Sequence, residues 1–205
     1  MEDEPKYFES FVDDLLSALD QKLLFAVNKV KLISLSQDLI KKNLPLASDA
    51  ASVGHIKMCS VMIALFGYLK DKMPLDNCLA IIKYAFVDSL IHITYQTEEF
   101  LNESSNPFKD VVSISKQKEV EYGDSFKFYR KKDNDQSYLL EVKQCFYCKL
   151  LTTNNAKELM PIFCDFDTLW MKAIKPETHG FKFERPETIG TGGEVCKFYF
   201  TKTLK

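Results

Sequence analysis

Apolar residues recur at spacings near 3.6 in the first half of this chain, which is the pattern of amphipathic helices. In the first segment these apolar positions are Phe8, Phe11, Leu15, Leu19, Leu23, Val30 and Ile33. The pair Leu44-Pro45 ends the segment, because proline disfavours the helical conformation in the residue before it. The pattern therefore predicts one helical segment that closes at Leu44.

Two further helices are predicted before residue 105. The second runs over about 51–72 and contains the apolar run Met58–Leu69. That run is shorter than the roughly 20 residues that a membrane span needs, so we expect a buried core helix. Pro74 separates it from a third helix, which we expect to be N-capped by Asp76 and to end near Leu101.

The second half changes from helical to alternating periodicity after a turn-rich break at 102–107. Two alternating runs separated by Asp133-Asn-Asp135 predict a β-hairpin. A helix over about 156–173 and strands over 181–185 and 195–201 complete the pattern. Separate blocks of helices and strands are typical of an α+β fold. We expect a single domain over 1–205, with a helical part at 1–105 and an antiparallel α+β part at 106–205 that carries the site.

Charge and composition exclude some classes of partner. The 205 residues contain 27 Lys and Arg against 29 Asp and Glu, for a net charge of −2. A nucleic-acid-binding protein is expected to be basic, so no nucleic-acid partner is predicted. The acidic first residues do not form a signal peptide, and we expect a cytoplasmic protein with no membrane partner. The helical first half could pair with a second copy as a homodimer.

Cysteines are the main candidates for chemistry, because the thiols of a cytoplasmic protein stay reduced. Four of the six lie in the second half: Cys145, Cys148, Cys164 and Cys196. Cys164 and Asp167 are three residues apart on the predicted helix and share a face. In the last strand, alternation puts Cys196, Phe198 and Phe200 on the inward side. A thiolate is a nucleophile and a carboxylate one turn away can act as a general base, so these elements predict a thiol-lined site.

Other interpretations of the cysteines remain open at this stage. Cys145 and Cys148 have the spacing of half a zinc site, which Cys164 and Cys196 could complete, but no second close pair exists. His55 and Cys59 could share a metal, again without a second pair of ligands. A thioredoxin-like redox pair would need a βαβ context that the antiparallel pattern does not offer. The functional alternative is therefore a non-catalytic module that binds a small molecule or a metal.

An ordered set of motifs in the second half resembles a known family. The set is Cys145-x-Tyr147, Leu159-x-Pro161-x-x-Cys164-x-x-Asp167, Phe183-x-Arg185-x-x-Thr188 and Gly192-Gly193-x-x-Cys196-x-Phe198. Four separated blocks agree in order and spacing with the L-2-amino-thiazoline-4-carboxylic acid hydrolase family of bacterial proteins. The resemblance covers about residues 138–199.

The resemblance implies a hydrolase that opens a small cyclic amidine or thiazoline ring to an N-carbamoyl amino acid, without a cofactor. Within it, Cys164 is expected to be the nucleophile and Asp167 its base, and Arg185 to hold a substrate carboxylate in a bidentate contact. The remaining family residues are expected to line the substrate pocket, and they are Cys145, Thr188, Gly192 and Cys196. His179 or Arg185 could supply a cation or a proton relay beside the thiol.

Overall fold

The computed structural model describes the backbone of residues 4–203 and the side chains from residue 8 onward. Its α-helices are α1 (Glu4–Asp20), α2 (Lys29–Asn43), α3 (Ala50–Lys70), α4 (Leu75–Phe86), α5 (Ile91–Glu103), α6 (Pro107–Glu121), α7 (Phe146–Thr153), α8 (Met160–Asp167) and α9 (Pro176–His179). The strands are β1 (Lys127–Asp133), β2 (Ser137–Gln144), β3 (Phe181–Glu184) and β4 (Cys196–Lys202). They form one antiparallel sheet in the order β1-β2-β4-β3, which confirms the predicted α+β class.

The chain forms two compact units, and each unit takes two stretches of sequence. The first comprises the chain up to Ser89 together with Tyr147–Phe166. The second comprises Leu90–Phe146 and the chain from Asp167 onward. Each unit has a core of its own, and the two are described separately below.

In the first unit, the prediction of a single long helix before Leu44 is wrong. Helix α1 ends at Asp20, and α2 begins only at Lys29. The Asn28 side chain accepts a hydrogen bond from the backbone N–H of Lys31 at 2.9 Å, which caps a new helix rather than continuing the old one. The restart changes the helical phase, and Val30, expected in the core, is 80% exposed.

The core of the first unit is built around α3. Asp49 and Ser52 form a reciprocal capping box at its start, which satisfies backbone donors that the first turn leaves open. The apolar run predicted to be buried is buried, from Cys59 through Phe66. In α4, the predicted N-cap Asp76 is wrong, because Pro74 occupies that position and Asp76 lies in the first turn. An acidic side chain there still interacts favourably with the helix dipole.

The third predicted helix is also interrupted. Helix α4 ends at Phe86, a 3-10 turn spans Asp88–Leu90, and α5 starts at Ile91. The Phe86 ring is buried and lies 4.6 Å from that of Phe166 and 5.2 Å from that of Phe163, centroid to centroid. Burial of this ring at the end of α4 gives the first unit a compact aromatic core.

Two segments are long and apolar enough, by length and composition, to cross a membrane: Ala50–Lys70 and Leu75–Glu103. This is weak evidence for a span, because core helices of soluble proteins meet the same criterion. More than half of the Ala50–Lys70 window is buried inside the protein. The absence of a membrane partner stays a prediction.

The second unit is organised by its sheet. The hairpin of β1 and β2 is confirmed, and β4 pairs with both β2 and β3. The inward face predicted for the last strand is also confirmed, since Cys196, Phe198 and Phe200 are all buried. Burial then alternates along β4, as expected for a strand with one covered face.

The helices after residue 105 differ from those that the sequence pattern predicts. Helix α6 was not predicted; the Asn106 side chain caps it and Pro107 occupies its first position. The predicted helix over 156–173 is reduced to α8 with 3-10 turns on either side. Pro161 lies in the first turn of α8, where proline is tolerated because it lacks the N–H that later turns need. Helix α7, which follows Cys145, was not predicted.

Candidate functional site

The candidate site lies in the second unit, where four chain segments each contribute one polar side chain. Asp167 ends α8, Arg185 follows β3, Cys196 begins β4 and Tyr122 caps the end of α6. Three of these four residues were predicted from the sequence. We refer to the four as the Asp167 cluster.

The Asp167 carboxylate is held by both of its oxygens. The Tyr122 hydroxyl donates a hydrogen bond to Oδ1 at 2.8 Å, and Nη2 of Arg185 lies 3.6 Å from Oδ2. The side chains of Asp167 and Arg185 are only 15% and 10% exposed. Burial raises the pKa of the Asp167 carboxyl, and the Arg185 charge and the Tyr122 hydrogen bond oppose that rise. A carboxylate in this setting holds a proton more readily than an exposed aspartate does.

Arg185 connects the carboxylate with the thiol. Its guanidinium lies over the Phe198 ring, with Cζ 4.3 Å from the centroid, in a cation–π contact. It also hydrogen-bonds the Cys196 side chain. The Cys196 sulfur accepts a second hydrogen bond from the backbone N–H of Ile189 at 3.2 Å. Burial raises the pKa of this thiol, while the Ile189 N–H and Arg185 favour the thiolate and limit the rise.

A short loop joins Arg185 to Cys196 and sets the position of both residues. The Thr188 hydroxyl accepts a hydrogen bond from the Thr191 N–H at 3.2 Å and so caps the 3-10 turn Ile189–Thr191. Gly192 then takes a φ of +92°, which only glycine adopts without strain. Thr188 and Gly192, predicted as binding residues, thus shape the loop that turns the Ile189 N–H toward the thiol.

Glu187 holds the far side of the same loop. Its Oε1 accepts hydrogen bonds from the backbone N–H groups of Glu194 at 2.8 Å and Val195 at 3.3 Å, and its carboxylate pairs with Lys197 at 2.6 Å. A Cβ on Gly193 would lie 2.4 Å from the Glu187 Cγ. The second glycine of the predicted motif is therefore required by close packing, whereas Gly192 is required by its backbone angle.

The two other predicted thiols belong to different parts of the structure. Cys164 is half-buried on α8 and lies in the first unit. Cys145 is half-buried between β2 and α7. The roles of Cys164 as nucleophile and of Cys145 as a pocket residue stay predictions, while Cys196 is the thiol that lies with Arg185.

Tyr122 is the residue that the sequence analysis missed. It lies 45 residues before Asp167, at the end of a helix that was not predicted. Its ring packs edge-on against Phe126 at 4.8 Å and Phe128 at 6.2 Å. Gly123 follows with a φ of +72° and turns the chain toward β1. A Tyr-Gly pair at a helix end was the only available signal, and it does not identify a partner.

His179 lies outside the Asp167 cluster and has partners of its own. His179 is buried, its Nδ1 accepts the Lys175 N–H at 3.0 Å, and its Nε2 lies 3.1 Å from Oδ1 of Asn102. Burial lowers the pKa of this imidazole, which favours the neutral ring. Among the side chains that the structure describes, residues 8–203, no group of three or more His, Cys, Asp or Glu has the arrangement of a metal site.

Comparison with known proteins assigns the family. The model of the L-2-amino-thiazoline-4-carboxylic acid hydrolase family matches residues 55–200, more than half of the chain. The chain belongs to this family. The family match includes all four residues of the Asp167 cluster and the loop between Arg185 and Cys196.

Other comparisons add no functional information. No curated protein matches the chain. One solved structure, an Fe(II) unliganded H-NOX protein from K. algicida, is 13% identical over 96% of both chains, with a TM-score of 0.35. A similarity at that score supports no conclusion about fold or function, so the hydrolase family assignment depends on the family match.

Proposed function

We propose that the protein hydrolyses 2-amino-thiazoline-4-carboxylate, or a closely related cyclic amidine, to an N-carbamoyl amino acid with a free thiol. The observation that carries the proposal is the Asp167 cluster within the segment matched by the hydrolase family. It combines a guanidinium for a carboxylate, a buried general base and a thiol. Each of these groups answers one requirement of the reaction.

Arg185 is proposed to bind the substrate carboxylate. A guanidinium matches a carboxylate in a bidentate contact, and the Phe198 ring beneath it restricts its orientation. In the structure its partner is Asp167, at 3.6 Å. A substrate carboxylate would take over part of that pairing. Asp167 would then lose some of the cation's stabilisation and become a stronger base.

The first proposed step opens the ring at the carbon between sulfur and nitrogen. The Cys196 thiol gives its proton to Asp167 as its sulfur bonds to that carbon. The bond from this carbon to the ring sulfur breaks, the electron pair leaves on the ring sulfur, and this sulfur takes the proton from Asp167. The product thiol is now free, and the carbon is joined to Cys196 as an isothiourea.

The second step releases the product by hydrolysis. Asp167 accepts a proton from water as the oxygen bonds to the isothiourea carbon. The bond to Cys196 breaks with its electron pair on the cysteine sulfur, which recovers a proton. The other proton of water ends on the carbamoyl nitrogen. One water is consumed, and the enzyme returns to its starting state.

The test is to assay four purified single variants with 2-amino-thiazoline-4-carboxylate and follow formation of the carbamoyl product by chromatography. We expect Cys196→Ser and Asp167→Asn to lower kcat by at least about a hundredfold, as loss of a nucleophile or base does. Cys164→Ser tests the nucleophile that the sequence predicted. Cys148→Ser is the matched control, because it removes a half-buried thiol with no proposed role.

The outcomes separate the function from the residue roles. Activity lost in Cys164→Ser and kept in Cys196→Ser would move the nucleophile to Cys164 and leave the hydrolase function intact. Full activity in Asp167→Asn would refute the proposed base. Wild-type protein that converts neither this substrate nor related thiazolines would refute the function itself. The cytoplasmic location and the homodimer through the N-terminal helices stay predictions.

A further inference from the structure

A groove in the first unit is lined by residues that take no part in the proposed hydrolase site. It lies between α2 and α3, is open to solvent and has a volume of about 760 Å³. Small-molecule sites usually fall in the range of about 300–1,000 Å³, so the size suits a ligand rather than a single water. Its apolar lining is formed by Leu35, Leu39, Ile63, Ala64 and Gly67.

Gly67 leaves the floor of the groove open. A Cβ built on this residue has no heavy atom within 4 Å, so a larger side chain here would project into empty space. Most positions in the middle of α3 are filled by larger apolar side chains. Glycine in a helix interior is less favourable than alanine. Gly67 therefore lowers the stability of α3 slightly and leaves space in the groove beside it.

Two lysines that line the groove lie beside the same aromatic ring. The Nζ atoms of Lys31 and Lys72 lie 5.8 and 5.0 Å from the centroid of the Tyr68 ring. Lys31 is near the start of α2 and Lys72 follows the end of α3, so the helices run antiparallel here. Among the side chains of residues 8–203, none of the carboxylates forms an ion pair with either ammonium group. This part of the groove is therefore a site for a negative charge.

The rest of the rim limits what could bind. Lys42, at the other end of α2, donates a hydrogen bond to the Asn154 Oδ1 at 3.0 Å and is thus already engaged. Asp38 and Asp71 also line the groove, and they disfavour a ligand with several negative charges. Eleven residues separate Lys31 from Lys42, which corresponds to about 16 Å of helix. The groove fits a narrow apolar chain with a single acidic end.

We infer that this groove binds a straight-chain monocarboxylate, with its carboxylate between Lys31 and Lys72 and its chain along Gly67 and Leu39. Ion pairs with the two ammonium groups would fix the acidic end, and burial of the methylene chain would supply most of the affinity. The inference is independent of the hydrolase function, because it uses none of the residues of the Asp167 cluster.

The experiment uses decanoate as the probe and isothermal titration calorimetry on the full chain. Gly67→Leu fills the groove and is expected to weaken decanoate binding by at least about tenfold. Gly54→Leu is the matched control, because Gly54 is on the same helix, also has open space at its Cβ, and does not line the groove. Both changes replace a helical glycine by a better helix former, so neither should unfold the protein.

A second pair of variants tests the charge. Lys31→Gln/Lys72→Gln should weaken decanoate binding by about fivefold or more, as loss of charge-assisted contacts does. Lys41→Gln/Lys70→Gln removes the same charge from the same two helices outside the groove and should leave binding unchanged. Decylammonium, with an equal chain and the opposite charge, should bind no better than decanoate binds to the Lys31/Lys72 double variant.

Three results would overturn the inference. The first is no measurable binding of decanoate to the wild-type protein. The second is equal binding in the Gly67→Leu and Gly54→Leu variants, because the ligand would then lie elsewhere. The third is equal affinity for decylammonium, which would reduce the interaction to apolar contact without recognition of an acid. Hydrolase activity measured in the same variants should not change, and this separates the inference from the proposed function.

Discussion

Replacing Tyr122 with phenylalanine removes the hydroxyl that donates a hydrogen bond to Asp167 and keeps the aromatic ring. The hydroxyl donates to Oδ1 of Asp167 at 2.8 Å, while the ring contacts Phe126 and Phe128. Phenylalanine keeps both ring contacts, so we expect the fold to be preserved. The carboxylate loses its donor on Oδ1 and retains only the more distant Arg185 contact on Oδ2.

The size of the effect follows from the kind of bond lost. A hydrogen bond to a charged group contributes about 1.5–3 kcal/mol, and Asp167 is largely buried, so water replaces little of it. The bond favours the ionised carboxylate, and its loss therefore raises the pKa of Asp167 further above the ordinary value. A loss of about 1.4 kcal/mol corresponds to about tenfold stronger proton binding.

The assay is the pH dependence of kcat/KM for hydrolysis of 2-amino-thiazoline-4-carboxylate. If Asp167 acts as a base, it works only when ionised, so activity rises as pH increases through its pKa. In Tyr122→Phe this acid limb should move to higher pH, with activity about tenfold lower on the limb and nearly restored on the plateau. Tyr129→Phe is the control, because the Tyr129 side chain is 53% exposed and lies outside the cluster.

Two results would refute this reasoning. An acid limb that does not move would show that Tyr122 does not affect the base, or that another group controls the limb. A uniform loss of activity at every pH, together with a lower thermal midpoint, would assign Tyr122 a structural role only. Tyr122→Leu removes the same hydroxyl and should shift the acid limb of the kcat/KM profile at least as far.

Three further predictions test the loop and the two cores. Gly193→Ala forces a Cβ against Glu187 and should cost about 1–3 kcal/mol and most of the activity, measured by urea unfolding and by kcat; Gly180→Ala, strained only by its φ of +70°, should leave kcat unchanged. Phe86→Ala should lower the unfolding free energy by about 3–5 kcal/mol, and a value below about 1 kcal/mol would contradict its central packing. The pKa of buried His179 is lowered, so the stability it contributes is present above the ordinary histidine pKa and is lost as pH falls. His179→Gln should therefore flatten the fall in unfolding free energy between about pH 7 and pH 5, and an unchanged slope would contradict this.

Local patterns were sufficient for much of the second unit. Alternation along β1, β2 and β4 predicted both the hairpin and the buried side of the last strand, because successive side chains of a strand point to opposite faces of the sheet and only one face of β4 is packed. In the first half, the sequence correctly predicted helices, but it predicted their first and last residues less well. Asn28 interrupts the first predicted helix through a side-chain cap. A residue suited to capping also occurs within loops and helices, so the period alone did not identify the break.

The sequence by itself determined the family and the chemical groups available to it, since the order and spacing of Arg185, Thr188, Gly192 and Cys196 are local features of one loop. Only the tertiary structure decided which groups meet. It brings Tyr122 to Asp167 across 45 residues and puts Arg185 beside both this carboxylate and the Cys196 thiol. Spacing predicts contacts within a helix or between paired strands. Contacts between separate elements depend on how those elements pack, and burial in that packing is also what raises the pKa of Asp167.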